Sequence, residues 1–360
     1  MTRNTAKGRL GWKEFLLSLF LIFAGWAGAE LFKGDGTTSD GSQEGITVLF
    51  TTPRYPDAPS QHYGGLDERL VEALDGAQKT LDVAAYDLNL ERVAEALVHA
   101  QQRGVAVRLV TDADYERELG PERLRQAGIP VVSDESAAFM HDKFVIIDGR
   151  QVWTGSWNLT DNGTYRNNNN VVIVDSTAVA ENYTAEFEEM FTEHQFGDRS
   201  PAETPHSQVD IAGISVENAF APEDSVQRKV LAVLETAQSD IRFMAFTLTD
   251  NEISKLLNRK LRDGVSIQGV VEARNVGGSG SDFEVLHQVG VDILQDGNPY
   301  MMHHKVLIVD EAIVITGSYN FSRNANENND ENVLIIYSPE IARQYLEEFQ
   351  RVYQQAEEAQ

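Results

Sequence analysis

Apolar residues along the chain fall into short runs separated by segments of helical periodicity, and the order of these segments occurs twice. In the first half, a helical pattern from Leu66 to Ala77 leads into an apolar run from Leu81 to Tyr86. A second helical pattern, Glu91 to Arg103, stops at Gly104, a normal helix end. A strand-like run from Ala106 to Thr111 follows, then a further helix and a short strand. The second half repeats the order: Ser225 to Ala237, Ile241 to Phe246, Asn251 to Arg262 and Ser266 to Val271. Such alternation predicts α/β units with a largely parallel sheet. The near-continuous apolar runs Phe144 to Ile147 and Val306 to Val309 predict strands covered on both faces, because a strand with one wet face would alternate.

The duplication is visible residue by residue. Ala77-Gln78 and Ala85-Tyr86-Asp87 match Ala237-Gln238 and Ala245-Phe246-Thr247 at an offset of 160. Gly104-Val105 matches Gly264-Val265 at the same spacing, after which the offset becomes 162. At 162, His141, Lys143, Asp148, Gly155, Ser156, Asn158 and Asn170 align with His303, Lys305, Asp310, Gly317, Ser318, Asn320 and Asn332. A constant offset through these polar and glycine positions marks an internal repeat. The polar, proline-containing stretch from Arg199 to Pro205 separates the halves, giving a first unit over 46–200 and a second over 201–360.

The N-terminus differs from the body. Arg3, Lys7, Arg9 and Lys13 precede an apolar run from Phe15 to Ala29, as in a secretory signal cleaved after Ala29 or an uncleaved membrane anchor. Either reading keeps the basic end in the cytoplasm and exports the body, as a secreted, periplasmic or membrane-anchored protein. Residues 30–45, including Gly34 to Gly45, read as a flexible linker. The chain has no cysteine, so disulfides, thiolate metal sites and cysteine nucleophiles are excluded. Asp and Glu outnumber Lys and Arg 56 to 30, for a net charge of −26. That surface repels nucleic acid and anionic lipid at long range and disfavours tight duplex binding, while leaving room for a locally basic pocket.

The chemistry lies in two segments, HDKFVIIDGRQVWTGSWN from His141 and HHKVLIVDEAIVITGSYN from His303. In an extended chain, His141 and Lys143 share a face, as do His303 and Lys305. Cleaving a phosphodiester needs a nucleophile, an acid for the leaving oxygen and positive charge for the equatorial oxygens. Two imidazoles fit the first two roles. Lys143, Lys305, Ser156, Asn158, Ser318 and Asn320 fit a phosphate cradle, and these spacings imply neither metal nor cofactor.

Both segments resemble the HxK(x)4D…GSxN motif of the phospholipase D superfamily, and the resemblance extends from about residue 60 to 350. It implies a duplicated α/β fold of α-β-α units, with two mainly parallel sheets packed around a pseudo-twofold interface. It implies one shared site, so no obligate oligomer is needed. It also implies a covalent phosphohistidine resolved by water or an alcohol.

Asp148 and Asp310 read as supports at strand ends, with Asn169, Asn170 and Asn332 as further supporting residues. Glu331 follows His303 by 28 residues, whereas Asn169 stands at the equivalent place after His141. A carboxylate partner favours imidazolium. The resemblance implies that an acidic residue near this position holds the catalytic imidazole, so the expectation is that Glu331 holds His303 as a protonated acid while neutral His141 attacks. His304 faces away and reads as structural. The Gly277–Gly280 loop, Glu272 and Arg274 carry no specific signal.

Export or anchoring favours a phospholipid substrate. A nuclease is the main alternative, and a cardiolipin-synthase-like transferase a further one. A binding module without activity has no use for two intact HxK motifs.

Overall fold

The computed structural model describes residues 41–134 and 138–360. The leader over 1–29 and residues 30–40 of the expected linker lie outside the described residues. Among the described residues, no helix is long and apolar enough to cross a membrane.

The first half contributes β1 (Gly41–Gln43), β2 (Ile46–Phe50), β3 (Thr80–Ala85), β4 (Ala106–Asp112), β5 (Val131–Asp134), β6 (Lys143–Ile147), β7 (Gln151–Gly155), β8 (Asn167–Asn168) and β9 (Asn170–Asp175). The second contributes β10 (Gln208–Ile211), β11 (Ile214–Ala221), β12 (Asp240–Ala245), β13 (Ser266–Val271), β14 (Asp292–Gln295), β15 (Met301–Met302), β16 (Lys305–Val309), β17 (Ile313–Gly317) and β18 (Glu331–Tyr337). The principal helices are α1 (Leu66–Gly76), α2 (Glu91–Gln102), α3 (Thr177–Phe191), α4 (Val226–Glu235), α5 (Asn251–Arg262) and α6 (Pro339–Ala359).

Two eight-stranded sheets result, ordered β1-β2-β9-β7-β6-β3-β4-β5 and β10-β11-β18-β17-β16-β12-β13-β14. The α/β class and the duplication stand, but the sheets are mixed and not mainly parallel. Within these two sheets, among the described residues, only β3–β4, β4–β5, β12–β13 and β13–β14 run parallel, the strands linked through crossover helices. β6 and β7 are joined by a tight turn, which permits only antiparallel pairing, and β7, β9 and β2 continue that sense. The linker expectation is also corrected at its end. Gly41–Gln43 pairs with β2, and Gly45, at φ 86°, makes the tight turn between them.

The strands alternate between two cores. Phe144 and Ile146 face the other sheet, joining Val48, Val172, Val306, Ile308 and Leu334, with Tyr183 and Phe187 of α3 and Tyr345 and Phe349 of α6. Val145 and Ile147 face outward onto Leu70 and Leu74 of α1 and Leu97 of α2. In the second half, Leu307 and Val309 meet Val230 of α4 and Leu257 of α5 in the same way. Burial on both faces is why these strands are continuously apolar. Each side chain of this size stabilises the fold by about 1.5–3 kcal/mol.

Asp148 and Asp310 close the far ends of β6 and β16 in the left-handed conformation, at φ 55° and 50°. The Asp148 carboxylate accepts backbone N–H bonds from Gln78 (2.9 Å), Lys79 (2.6 Å) and Thr80 (3.0 Å). Asp310 does the same for Gln238 (2.8 Å), Ser239 (2.8 Å) and Asp240 (3.0 Å). Burial works against the charge, but the amides of Gln78, Thr80 and Lys79 hold the Asp148 carboxyl below its ordinary value. Its stabilisation is therefore present above the unfolded carboxyl pKa of 3.8 and is lost as pH falls through the lower folded value. Asp148→Ala is expected to lower unfolding free energy by about 1–3 kcal/mol at pH 7, and less below pH 3, in urea titrations.

Candidate active site

The catalytic segments begin where the two sheets meet. Met140 N donates to the Asp112 carboxylate at 3.0 Å, and Met302 N to Glu272 at 2.7 Å, so an acid at the end of β4 or β13 seats each entering chain. The two halves then exchange backbone bonds. His141 N donates to Asp330 O at 3.0 Å, and His303 N to Asn168 O at 2.9 Å. β8 and β15 pair in parallel across the boundary, and the Met140–Asp330 bridge is their counterpart.

This exchange corrects the expected partner of Glu331. His141 Nδ1 meets Glu331 Oε2 at 2.7 Å, so the second half's carboxylate holds the first half's histidine. His303 Nδ1 meets Asn169 Oδ1 and Ser156 O, both at 3.0 Å. The 28-residue spacing said nothing about which histidine is reached, because both Asn-rich segments cross the interface before joining their own sheets. Asn169 is itself oriented. Its Oδ1 also accepts from Ser156 Oγ (2.9 Å), and its Nδ2 donates to Gly163 O (2.9 Å). Both partners of His303 Nδ1 are acceptors, so that nitrogen carries the proton and Nε2 is left for chemistry.

Lys143 and Lys305 fold back so that Nζ donates to the carbonyl of the histidine two residues earlier, at 2.6 and 2.9 Å. Each ammonium lies over an aromatic ring, Tyr86 at 4.9 Å and Phe246 at 4.8 Å. The same rings stand edge-on to His141 (4.8 Å) and His303 (4.7 Å). Tyr86 and Phe246 are site residues that motif reasoning missed. Their signal was the repeat match immediately after β3 and β12.

All four basic groups are buried: His141 7% exposed, His303 6%, Lys143 5% and Lys305 1%. Burial first, then the charges of Lys143 and Lys305, push both imidazoles well below 6.5. Burial brings Lys143 down to about 8 and Lys305 well below the ordinary lysine value. It pushes Glu331 up to about 8 against the pull of Lys143 and Lys305. Buried cations that depress one another gain most from an anion placed among them.

The profile of the family described as "Cardiolipin synthase, PLD-like domain" matches residues 70–191 and 230–353, one copy per half and well over half of the chain. The chain belongs to the phospholipase D superfamily. Among curated relatives, a mitochondrial cardiolipin hydrolase from Xenopus laevis is 36% identical over 153 residues, 41% of this chain and 72% of that protein. A phospholipase D from Rickettsia typhi is 31% identical over 143 residues, 39% of this chain and 70% of that one. Each match has about the length of one half. Phosphatidylserine synthase of Haemophilus influenzae shares the fold over 88% of this chain and 87% of its own, with a TM-score of 0.64 at 13% identity. The activity class is phosphodiester cleavage of the phospholipase D type.

Within this phospholipase D-type site, the serines are corrected. Ser156 and Ser318 are fully buried. Ser156 Oγ is committed to Asn169 and to the amide of Asn170 (3.1 Å), and Ser318 Oγ accepts from Asn332 N at 3.0 Å. They orient the segments that hold the histidines and do not face a phosphate. Gly155 and Gly317 allow this packing, because a Cβ at either would overlap the carbonyl of Asn170 or Asn332. Asn158 and Asn320 are half-buried, and among the described residues the Oδ1 of each has no partner, which leaves their amides uncommitted. Asn170 donates to Thr316 (2.8 Å) and Tyr345 (2.9 Å), while Asn332 accepts from Thr154 at 2.6 Å, pinning one half to the other.

Lys143 loses its charge as pH rises through about 8, so KM for an anionic phosphodiester is expected to climb above that pH while remaining flat from 6 to 7.5. A flat KM up to pH 9.5 would remove Lys143 from substrate binding. Tyr86→Ala, which uncovers the ammonium and frees the His141 ring, is expected to cut kcat/KM by about 10-fold or more in steady-state assays.

Proposed function

We propose that the protein hydrolyses the head-group phosphodiester of a phospholipid through a covalent phosphohistidine on His141. The observation that carries this reading is that both imidazoles are gripped through Nδ1, leaving each Nε2 without a partner among the described residues while both rings feel the charges of buried Lys143 and Lys305. His141 Nε2 attacks phosphorus, and the bond to the head-group oxygen breaks. The negative charge of the bound phosphate favours doubly protonated His303, and the head-group oxygen takes its Nε2 proton, leaving the neutral ring with hydrogen on Nδ1. Water then attacks the phosphohistidine and gives its proton to His303, and the P–N bond breaks to release phosphatidate. The lysines and the amides of Asn158 and Asn320 hold the equatorial oxygens.

His141 keeps the nucleophile's role, but for a reason opposite to the one expected from sequence. Attack makes its ring cationic while Nδ1 retains its proton, and Glu331 stabilises that charge. His303, with neutral partners, more readily gives up a proton.

The lipid reading rests on three further observations. The curated relatives above carry the names cardiolipin hydrolase and phospholipase D. The net charge of −26 works against polyanionic nucleic acid. A line of rings leads from His141 through Tyr86 to Phe139, which is 37% exposed, an apolar approach suited to acyl chains. The basic-then-apolar N-terminus is taken as the export signal or anchor that brings the enzyme to a membrane.

Phosphatidylglycerol or cardiolipin vesicles and single-stranded DNA, assayed side by side, test the substrate. Head-group release abolished by His141→Asn is expected; DNA cleavage without lipid turnover would instead make the protein a nuclease. An activated phosphodiester that needs no acid tests the roles. Rapid quench and peptide mass analysis should find phosphate on His141 in the wild type and, accumulating, in His303→Asn. An adduct on His303 in His141→Asn would reverse the assignment.

A further inference from the structure

Behind the catalytic histidines the two halves differ sharply. In the second half, His304 bonds Asn170 through Nδ1 (3.1 Å) and Glu348 through Nε2 (2.9 Å), and Arg351 binds the same carboxylate at 2.6 Å. Base, carboxylate and guanidinium balance one another. At the offset of 162, the first-half counterparts are Asp142, Glu186 and Glu189. Three carboxylates stand where the other half has one. Glu223, just before α4, adds a fourth, and Asp330 a fifth that Glu186 feels electrostatically.

The cluster is compact enough to surround a single ion. One carboxylate oxygen from each of Glu186, Glu189 and Glu223 lies within 4.8 Å of the other two. Oxygens on opposite sides of a calcium ion, each about 2.4 Å from it, are separated by about the same distance. A second observation points to a missing positive partner. Asp142 and Asp330 are 0% exposed, yet among the described residues Asp142 Oδ2 and Asp330 Oδ2 have no hydrogen-bond donor. The same holds for Glu186 Oε1, Glu189 Oε1 and Glu223 Oε2. Asp142 is aimed into the cluster, within hydrogen-bonding reach of Glu186, while its other oxygen takes the Asn332 amide at 2.6 Å. Buried carboxylates are paired or bind metal, and among the described residues these five oxygens have no donor, the Lys143 ammonium acting on Asp142 only through its charge.

We propose that Glu186, Glu189 and Glu223 form a structural site for a hard divalent cation, with Asp142 and Asp330 completing its negative surroundings. The ligand set is all oxygen and carboxylate-rich, which selects calcium, magnesium or manganese over zinc or copper. Calcium fits best, because its flexible shell accepts several protein carboxylates, whereas magnesium retains most of its water. The cation supplies the balance that Arg351 supplies in the other half. The site is separate from the reacting atoms. It reaches them through the backbone, Asp142 lying between His141 and Lys143 and Asp330 O accepting from His141 N at 3.0 Å, so the cation stiffens the support of His141 and takes no part in bond cleavage.

The test uses the full chain, stripped with chelator, dialysed, and then titrated with calcium chloride or magnesium chloride. Atomic emission should find one calcium per chain after dialysis, and Tm should rise by several degrees with millimolar calcium. The Glu186→Gln/Glu189→Gln double variant should bind none and show no shift. Glu189→Arg, which copies the second half's balance, should need no cation and melt in chelator at or above calcium-loaded wild type. No bound calcium, magnesium or manganese on wild type, with Tm unchanged by calcium and by magnesium, would overturn the proposal. So would a double variant that binds and shifts like wild type.

Discussion

The hydrogen bond between His141 Nδ1 and Glu331 makes this one enzyme site and not two adjacent repeats. It joins a residue at the mouth of β6 to the first residue of β18 in the other half, at 2.7 Å and in full burial. A hydrogen bond this short in a dry interface is worth more than the same contact in water. It also dictates the surrounding backbone. Asp330 must lie against His141, Asn168 against His303, and the sheets must face each other closely enough for Asn170 and Asn332 to reach across. Neither half completes a histidine's surroundings alone.

The same constraint explains how buried lysines are tolerated. Lys143 and Lys305 are held by a carbonyl and a ring and, among the described residues, have no carboxylate within ion-pair reach. Removing such charges from water is costly, and the protein recovers that cost when a phosphate enters. A fully paired site would be more stable but would have less reason to bind an anion. The cost is bearable because the flanking layers are dense and apolar, with Phe144, Ile146, Val306 and Ile308 packed between the sheets.

Much of this was legible in the chain. Element order, the duplication and the paired His-Lys positions followed from spacing, because the repeat carried the polar positions of the His-Lys motif at a constant offset of 162. Asp148 and Asp310 were placed as strand-end supports because an acid after an apolar run, followed by a tight turn, has exposed amides to cap. Three features were hidden, all for topological reasons. Strand direction depends on which connections cross over, and periodicity does not report that. The reach of Glu331 depends on a crossing between halves, which sequence separation cannot encode. The serines of the Gly-Ser-x-Asn turns face inward because Gly155 and Gly317 let the next strand approach, so their hydroxyls are used before a phosphate could claim them. The contrast between Asp142 and His304 was in the sequence from the start, but it acquired meaning only once Glu186 and Glu189 were seen beside one and Glu348 and Arg351 beside the other.

The crossed pairing is tested most directly by proton NMR of the imidazole N–H region at neutral pH. A short, buried bond to carboxylate gives His141 Nδ1–H a far-downfield resonance. The account predicts that this signal disappears in His141→Asn and in Glu331→Gln and persists in His303→Asn. Loss of the signal in His303→Asn, with retention in His141→Asn, would mean that Glu331 serves the histidine of its own half and would contradict the account.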